Sequence, residues 1–359
     1  MNRRSLIKGG GIFGLLAAGV APAIHAQAAI RWRLASSFPK SLDTVFGTSE
    51  LFAKKVGEMT GGKFQISVHA GGELMPAFSV VDGVQTGSVQ MAHSAGYYFY
   101  GKDPAFCLGS SVPFGMNARQ INAWMYEGNG LKLMREFYAR YNIYNLPGGN
   151  TGAQMGGWFR KEIKSVADLK GLKFRTNPFA GKVLEPFGLI PQSLPAADLY
   201  PALEKGTIDA LEWVGPYDDQ KLGFNKIAPF YYYPGWWEGG PHVDFYINTK
   251  AWDDLSAEYK AVVEAAASHA HVSMLAKYDA RNPTALKQLV GSGTKLRPFT
   301  HDVMSAAFKS AQQLYADLNN SNPEWKKIYT DYSKFLADQN VWFRFAEGTF
   351  DRFMQQQQL

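Results

Sequence analysis

Apolar and polar positions in the amino-terminal third of the chain follow strand and helix periods in turn. Residues 30–34 and 64–68 alternate apolar and polar side chains, as a strand with one buried face does. Between them, residues 44–59 place apolar side chains three and four positions apart, as on one face of a helix. A second helix begins near Pro76, and a third strand covers residues 89–92. This alternation predicts parallel strands joined by right-handed helical crossovers, and therefore an α/β fold.

A short part of this pattern occurs twice. Residues 84–93 align without gaps with residues 203–212, and both segments are typical of a helix end, a glycine and a strand start. Further strand and helix patterns follow at 172–176, 181–187 and 190–194. Two interpretations stay open at this point. The chain has two lobes of one design, or the repeated segment is a connector common to α/β proteins.

Chain length favours the first interpretation. The 359 residues exceed what one hydrophobic core usually organises. We assign residues 29–150 and about 242–300 to lobe I, 151–241 to lobe II, and 301–359 to carboxyl-terminal helices that bridge the lobes. The predicted fold is α/β and two-lobed, with mainly parallel central sheets, a hinge and an interlobe cleft.

The last predicted helices carry more apolar bulk than surface helices normally do. The side chains concerned are Tyr329, Tyr332, Leu336, Val341, Trp342, Phe345, Phe350 and Phe353. Two explanations remain open, a lid over the core of the same chain and a contact with a second copy.

The first 28 residues have the pattern of an export signal. Arg3 and Arg4 precede a weakly apolar, glycine-rich run at 9–20, and small residues follow at 26–28. Paired arginines before such a run favour the twin-arginine route. The sequence therefore predicts a twin-arginine-type signal peptide over residues 1–28 and a periplasmic location.

Charge, cysteine count and motifs exclude several classes of protein. Without the three basic residues of the predicted signal, 34 basic side chains face 31 acidic ones, so no nucleic acid partner is expected. The single cysteine, Cys107, offers no intramolecular disulfide. Motifs of zinc peptidases, serine hydrolases and P-loop enzymes are absent from the sequence. These observations favour binding over catalysis.

Polar side chains follow several of the predicted strands, where ligands bind in α/β proteins. Arg175 ends a strand and has the planar, forked donor group that matches a carboxylate. A surface or interlobe salt bridge is the alternative. Tyr97, Tyr98 and Tyr100 follow the third strand, and at least one of their hydroxyls could reach a ligand oxygen. Core packing is the alternative for these rings.

Two glutamates lie in unusually apolar surroundings. Glu212 directly follows an apolar strand, and Glu238 lies between two tryptophans and two glycines. If the two glutamates share a cleft with Arg175 and an anionic ligand, the cleft has excess negative charge. Uncompensated charge is energetically unfavourable in a buried site of low dielectric constant. Oxygen donors from Glu212, Glu238 and Gln154 suit a hard cation such as Na⁺ or Ca²⁺. Backbone capping or pairing with lysine is the alternative for each glutamate.

With these residues in view, the chain resembles the substrate-binding subunits of tripartite ATP-independent periplasmic (TRAP) transporters. The resemblance covers essentially the whole mature chain. It rests on residues 71–74, 81–92, 173–175, 203–213 and, most specifically, 233–241. It is strongest to the branch that binds monocarboxylic 2-oxo or 2-hydroxy acids. It implies a periplasmic binding protein fold with a long helix across both lobes, hinge closure on the ligand, and delivery to a membrane permease.

The resemblance also implies roles for individual residues. Arg175 anchors the acid, and Asn150 and Tyr100 supply neutral polar contacts. The residues implied as cation ligands are Gln154, Glu212, Trp213 through its backbone, and Glu238, of which Gln154 and Trp213 also border the substrate. Dimers through an extended carboxyl-terminal helix are implied as well.

Two other functions stay open at the sequence level. One is a periplasmic enzyme on a small acyl or carbonyl substrate, with Glu212 or Glu238 as general base beside a metal ion. The other is a sensor that passes its closed state to a membrane receptor.

Overall fold

Two mixed β-sheets organise the residues that the computed structural model describes, 29–357. The predicted signal peptide, residues 1–28, lies outside the described residues. The first sheet has the order β2-β1-β3-β10-β4. Its strands are β1 (Ile30–Ser36), β2 (Phe64–His69), β3 (Met91–Ser94), β4 (Ile143–Asn150) and β10 (His242–Asn248). The pairs β1–β2 and β1–β3 are parallel, whereas β10 runs antiparallel to both of its neighbours.

The second sheet has the order β11-β9-β5-β8-β6-β7. Its strands are β5 (Gly157–Phe159), β6 (Lys173–Arg175), β7 (Ile190–Gln192), β8 (Ala210–Leu211), β9 (Phe230–Tyr233) and β11 (Lys295–Pro298). Strand β5 is antiparallel to β8 and β9, and the other pairs are parallel. Parallel pairs are thus in the majority across the two sheets, as predicted, and the antiparallel pairs involve β5 and β10.

The chain crosses between the sheets at two neighbouring places. Residues 151–156 lead from β4 into β5, and residues 234–241 lead from β9 into β10. The chain returns to the second lobe before residue 300, earlier than the predicted lobe boundary. Strand β11, Lys295–Pro298, pairs with β9 of the second sheet and does not join the first. The helix before it carries the chain back across both lobes, a route that no local pattern specifies.

Twelve α-helices surround the sheets in the described residues. They are α1 (Val45–Met59), α2 (Val80–Gln85), α3 (Ala118–Tyr126), α4 (Gly130–Ala139), α5 (Pro178–Leu184), α6 (Ala196–Glu204), α7 (Pro216–Leu222), α8 (Thr249–Asp253), α9 (Ala257–Gly291), α10 (His301–Ser321), α11 (Pro323–Phe345) and α12 (Glu347–Gln355). Helix α9 has 35 residues and packs on α1, β4 and α7, so it contacts elements of both lobes. None of these helices is both long and apolar enough to span a membrane.

The two similar sequence segments form the same local structure, one in each sheet. In residues 84–93 and 203–212 a helix ends, the chain turns at a glycine, and a strand begins. The turn glycines, Gly87 and Gly206, have φ angles of 73° and 71°, which other residues adopt only with strain. The geometry agrees with two lobes of similar design.

The apolar side chains of the carboxyl-terminal helices divide into two groups. Trp325, Ile328 and Tyr332 are buried where α11 packs on α3 and α4 of the first lobe, while α10 packs on α5 of the second. These residues form a lid over the core of the same chain. Val341, Trp342, Phe345, Phe350 and Phe353 are instead 59 to 72% exposed.

Candidate functional site

The carboxyl ends of two neighbouring parallel strands meet between the lobes. In the register of β6 and β8, Arg175 lies opposite Leu211, so Arg175 and Glu212 project from adjacent strand ends. The backbone N–H of Glu212 donates to the carbonyl oxygen of Arg175 over 3.0 Å. Sheet pairing alone therefore brings the predicted anchor and one predicted cation ligand together.

Arg175 is buried, with 2% of its surface exposed. Its Nη1 donates to Glu212 Oε1 and to the Glu212 carbonyl oxygen, each over 2.7 Å, and its Nε donates to the Leu194 carbonyl oxygen over 3.0 Å. The guanidinium also lies 5.2 Å from the Trp213 ring centroid and contacts the Tyr98 hydroxyl. A surface salt bridge is therefore the wrong interpretation of Arg175. Its ion pair with Glu212 lies inside the interlobe cleft.

Three oxygen atoms converge beside this pair. The Gln154 Oε1 atom lies 2.9 Å from Glu238 Oε2 and 2.5 Å from the Trp213 carbonyl oxygen, while Gln154 Nε2 donates to Thr151 Oγ1 over 3.1 Å. Oxygens this close repel unless a proton or a cation lies between them. Rotation of the amide would instead let its NH₂ group donate to both acceptors. The set of amide, carbonyl and carboxylate oxygens has the chemistry of a site for a hard cation.

Backbone hydrogen bonds between the two crossings hold these donors side by side. The Gln154 N–H donates to the Glu238 carbonyl oxygen over 3.1 Å, and the Gly235 N–H donates to the Gln154 carbonyl oxygen over 2.9 Å. A β-carbon at Gly235 would lie 2.6 Å from the Met155 carbonyl oxygen, so only glycine fits this close approach. The Met155 N–H donates to the Val214 carbonyl oxygen over 3.0 Å, which ties the crossing to the segment after β8.

Both glutamates are held in surroundings that disfavour their charged forms. Burial raises the pKa of Glu212 to about 7, although the adjacent Arg175 charge opposes the rise. Burial and then the Glu212 charge raise the pKa of Glu238 well above its ordinary value, partly offset by the Tyr97 hydroxyl that contacts it. One buried arginine does not compensate two buried carboxylates. A cation bound here would let both ionise.

The site differs from a usual cluster of metal-binding side chains. Among residues 29–357 there is no group of three or more His, Cys, Asp or Glu side chains that could hold a metal ion. Here two glutamates are supplemented by an amide and a backbone carbonyl. Such a set suits Na⁺ or Ca²⁺ better than Zn²⁺, which prefers nitrogen and sulfur.

A small cavity lies against these groups and has walls from both lobes. The lining residues are Phe38, Val45, Tyr97, Tyr98, Thr151, Gln154, Arg175, Glu212, Trp213, Val214 and Val243. The second lobe presents the charged groups of Arg175 and Glu212 next to Trp213 and Val214, and the first lobe presents aromatic and valine side chains. This pairing of walls fits a short ligand with an anionic end and an apolar end.

Two predicted contacts do not line the cavity. Both polar atoms of the Asn150 side chain bind backbone groups. Its Nδ2 donates to the Gly240 carbonyl oxygen over 2.9 Å, and its Oδ1 accepts from the Gly152 N–H over 2.8 Å. Tyr100 packs on Phe179, with ring centroids 5.4 Å apart. Asn150 thus joins the two crossings, and Tyr100 belongs to the packing of α5.

A helical turn explains why neighbouring tyrosines take the place predicted for Tyr100. Residues 96–99 form a single 3₁₀ turn, which directs Tyr97 and Tyr98 to the cavity and carries Tyr100 past it. Sequence reasoning also missed the apolar wall, Phe38, Val45 and Val243. Isolated apolar residues at a cleft carry no signal that separates them from core residues.

Comparison with known proteins identifies the family of this chain. The model of the bacterial extracellular solute-binding proteins, family 7, matches residues 35–322. The chain is 47% identical, over 90% of its length and 89% of the relative's, to a monocarboxylate 2-oxoacid-binding periplasmic protein of Nostoc.

Solved structures of TRAP solute-binding proteins are similar over nearly the whole chain. One from Bordetella bronchiseptica is 49% identical with a TM-score of 0.90, covers 91% of this chain and 97% of its own, and is a mixed-occupancy dimer with copurified calcium and picolinate. One from Pseudoalteromonas atlantica, with bound sodium and pyruvate, is 40% identical with a TM-score of 0.88 and covers 92% of this chain and 100% of its own.

These proteins bind solutes for transport, and the alternative of a periplasmic enzyme is therefore wrong. The two-lobed fold, the cleft and the whole-length similarity agree. The chain belongs to family 7 of the bacterial extracellular solute-binding proteins, the periplasmic solute-binding proteins of TRAP transporters.

Proposed function

We propose that the chain binds a small monocarboxylic 2-oxo or 2-hydroxy acid, of the size of pyruvate or lactate, together with Na⁺ or Ca²⁺. It delivers the acid to the membrane permease of a TRAP transporter. The observation that carries the proposal is the meeting of a buried guanidinium with the Gln154 amide, the Trp213 carbonyl and the Glu238 carboxylate beside one interlobe cavity. The Nostoc relative, named for 2-oxoacids, and the relative with sodium and pyruvate support it.

Arg175 is the anion anchor in this proposal. Its Nε and Nη1 atoms already donate to Leu194 and Glu212, and its guanidinium faces the cavity. A ligand carboxylate competes with Glu212 for the guanidinium, because both are planar acceptors of the same charge. The Tyr98 hydroxyl, next to the guanidinium, is placed to donate to a second ligand oxygen.

The cation ligands are Gln154, Glu212, the Trp213 carbonyl oxygen and Glu238. A bound cation supplies positive charge that lets both glutamates ionise beside an anionic ligand. A divalent ion balances the charges of two glutamates, one arginine and one acid, whereas a monovalent ion leaves one negative charge in excess. Glu212 moves from Arg175 toward the cation site as the acid replaces it on the guanidinium.

The apolar wall sets the length of the acid. Phe38, Val45 and Val243 from the first lobe face Trp213 and Val214 from the second. A methyl group fits between such side chains, whereas a second carboxylate there would lack a partner and would incur a desolvation penalty. Monocarboxylates are therefore preferred over dicarboxylates.

Thermal unfolding with a panel of acids tests this function. Pyruvate, lactate, longer 2-oxo acids, malate and gluconate are added with calcium, with sodium, or with neither in chelator-treated buffer. A ligand that binds only the folded state increases the free energy of unfolding by about 2.7 kcal/mol at a hundredfold excess over Kd, and the Tm rises as a result. We expect the shift with pyruvate or lactate and only with a cation. A shift with malate or gluconate alone would contradict the proposed ligand class.

Two further features are proposed with this function. Residues 1–28 direct export by the twin-arginine route, and replacement of Arg3 and Arg4 by lysine should abolish periplasmic accumulation. The exposed apolar residues 341–353 form a homodimer contact, in line with the dimer of the Bordetella relative.

A further inference from the structure

A second group of contacts joins the two lobes outside the ligand cavity. Thr44 Oγ1 lies 2.7 and 2.9 Å from the two carboxylate oxygens of Asp218, to which it donates. The Tyr278 hydroxyl donates to Asp218 Oδ2 over 2.7 Å. All three side chains are fully buried. A buried carboxylate is stable only with such donors, so Asp218 favours the one arrangement in which Thr44 and Tyr278 reach it.

An ion pair continues the contact toward the surface. The half-buried Asp43 pairs with the exposed Lys221, and its carboxylate also lies 3.7 Å from Lys277 Nζ. Lys277 Nζ donates to the Asp43 carbonyl oxygen over 2.6 Å, and the Tyr217 hydroxyl donates to Asp43 Oδ2 over 3.3 Å. Charged side chains nearer the surface thus surround the buried hydrogen bonds.

These residues come from three different parts of the fold. Asp43 and Thr44 immediately precede α1 of the first lobe, Asp218 and Lys221 lie on α7 of the second, and Tyr278 lies on α9, which contacts both. The Thr44–Asp218 and Asp43–Lys221 contacts therefore cross between the lobes.

Separation of the lobes would break these crossing contacts and expose Asp218 to water. A relative from Rhodobacter sphaeroides, 25% identical with a TM-score of 0.65, is an apo, open structure, so members of the family do adopt an open form.

We propose that Asp43, Thr44, Asp218, Lys221 and Tyr278 form an interlobe latch that stabilises the closed form and slows release of the acid without touching it. The inference rests on the proposed function, since it requires closure around a ligand. The latch adjoins the cavity wall directly, because Val45 follows Thr44 and lines the cavity.

The decisive variant is Thr44→Val, which removes the crossing donor and keeps the side-chain shape. Its matched control is Tyr231→Phe, because the Tyr231 hydroxyl donates over 2.6 Å to Asp219, a neighbouring buried carboxylate within the second lobe. Both variants lose one hydrogen bond to a buried aspartate, but only the first loses a contact between lobes.

The measurement is stopped-flow release of pyruvate in the presence of calcium. We expect Thr44→Val to raise the rate of release about fivefold, the factor that one hydrogen bond of ordinary net strength contributes. Tyr231→Phe should lower the Tm and leave the rate of release within twofold of the wild type. Equal rates for Thr44→Val and the wild type would overturn the latch.

A milder pair repeats the comparison at the surface. Lys221→Met removes the ion pair with Asp43, and Lys182→Met removes an ion pair with Glu185 that stays within the second lobe. We expect about a twofold faster release for Lys221→Met only, since exposed ion pairs contribute little. An equal effect of both variants would contradict a specific interlobe role.

Spin labels separate failure of the latch from failure of the proposed function. Lys54→Cys and Lys205→Cys place labels on exposed positions, one on each lobe. In ligand-free protein the closed fraction should fall when Thr44→Val is added and stay unchanged with Tyr231→Phe. If pyruvate does not bind at all, the proposed function fails, but this distance distribution still decides the latch. An unchanged closed fraction in Thr44→Val would refute it.

Discussion

The interlobe cleft and the end of the chain depart from the usual distribution of side chains in opposite ways. The cleft buries Arg175, Glu212 and Glu238, whereas the last two helices expose Trp342 and Phe353. Charged groups are rarely buried without compensation, and large apolar groups are rarely exposed side by side. In both places the proposed partner has a chemistry that complements the exposed or buried groups. It is an anion and a cation for the cleft, and an apolar surface for the helices.

The largest expected effect belongs to the anchor of the cleft. Arg175→Ala removes the guanidinium that is proposed to bind the carboxylate of the acid. Loss of one partner of a buried charge pair costs about 2–5 kcal/mol. We expect the affinity for pyruvate to fall at least about thirtyfold by calorimetry. Arg297→Ala, which removes a surface arginine paired with Glu162 on the same lobe, should bind normally. Retention of full affinity by Arg175→Ala would rule out the anchor.

A smaller effect is expected from pH. Because the pKa of Glu212 is raised to about 7 by burial, the folded state holds a proton there that the unfolded chain releases at lower pH. The cation-free protein should therefore lose stability as the pH rises from about 4.5 to about 7. Calcium binding requires the ionised glutamates, so its affinity should increase with pH, by up to about tenfold per unit for each glutamate that must lose a proton.

Glu238→Gln sharpens this test. It should weaken calcium binding and make the calcium affinity less dependent on pH, because one glutamate fewer has to lose a proton. The affinity is measured by calorimetric titration from pH 6 to 8. Glu58→Gln, at an exposed position, serves as the control and should change neither. A calcium affinity that is independent of pH in the wild type would show that the glutamates do not bind the ion.

The smallest effect on ligand binding is expected at the exposed helices. Phe345→Glu should convert a dimer into a monomer in sedimentation experiments and leave the affinity for pyruvate within twofold, because the face lies apart from the cavity. Val272→Glu, at an equally exposed apolar position on α9, should not change the mass. A wild-type protein that is already monomeric would leave the exposed aromatic face unexplained by self-association.

Strand-end reasoning located the charged half of the site from the sequence. Arg175 and Glu212 meet because parallel strands end at one sheet edge, and an apolar strand followed by a charged residue is visible in the sequence. Glu238 stands out in the sequence by its apolar neighbours and Gln154 as a further oxygen donor, but no local pattern shows that the two lie side by side. The backbone hydrogen bonds that join them link residues more than eighty positions apart.

Other features depend on geometry that no local pattern encodes. One 3₁₀ turn decides that Tyr98 and not Tyr100 reaches the cavity. Strand β11 joins the second sheet because α9 crosses both lobes, a long-range outcome. The apolar pattern of α11 is similar along its length, yet Tyr332 is covered and Trp342 is not. Periodicity predicts that a helix has an apolar face, but not which surface covers it.

The position of the cation donors has a thermodynamic consequence. Gln154 lies on one crossing between the lobes and Glu238 on the other, so an ion held by both would bridge the two segments that connect the lobes. If closure brings these oxygens to their binding distance, the ion favours closure by the same free energy by which closure favours the ion. Acid and ion then strengthen each other's binding, and the periplasmic concentration of one sets the apparent affinity for the other.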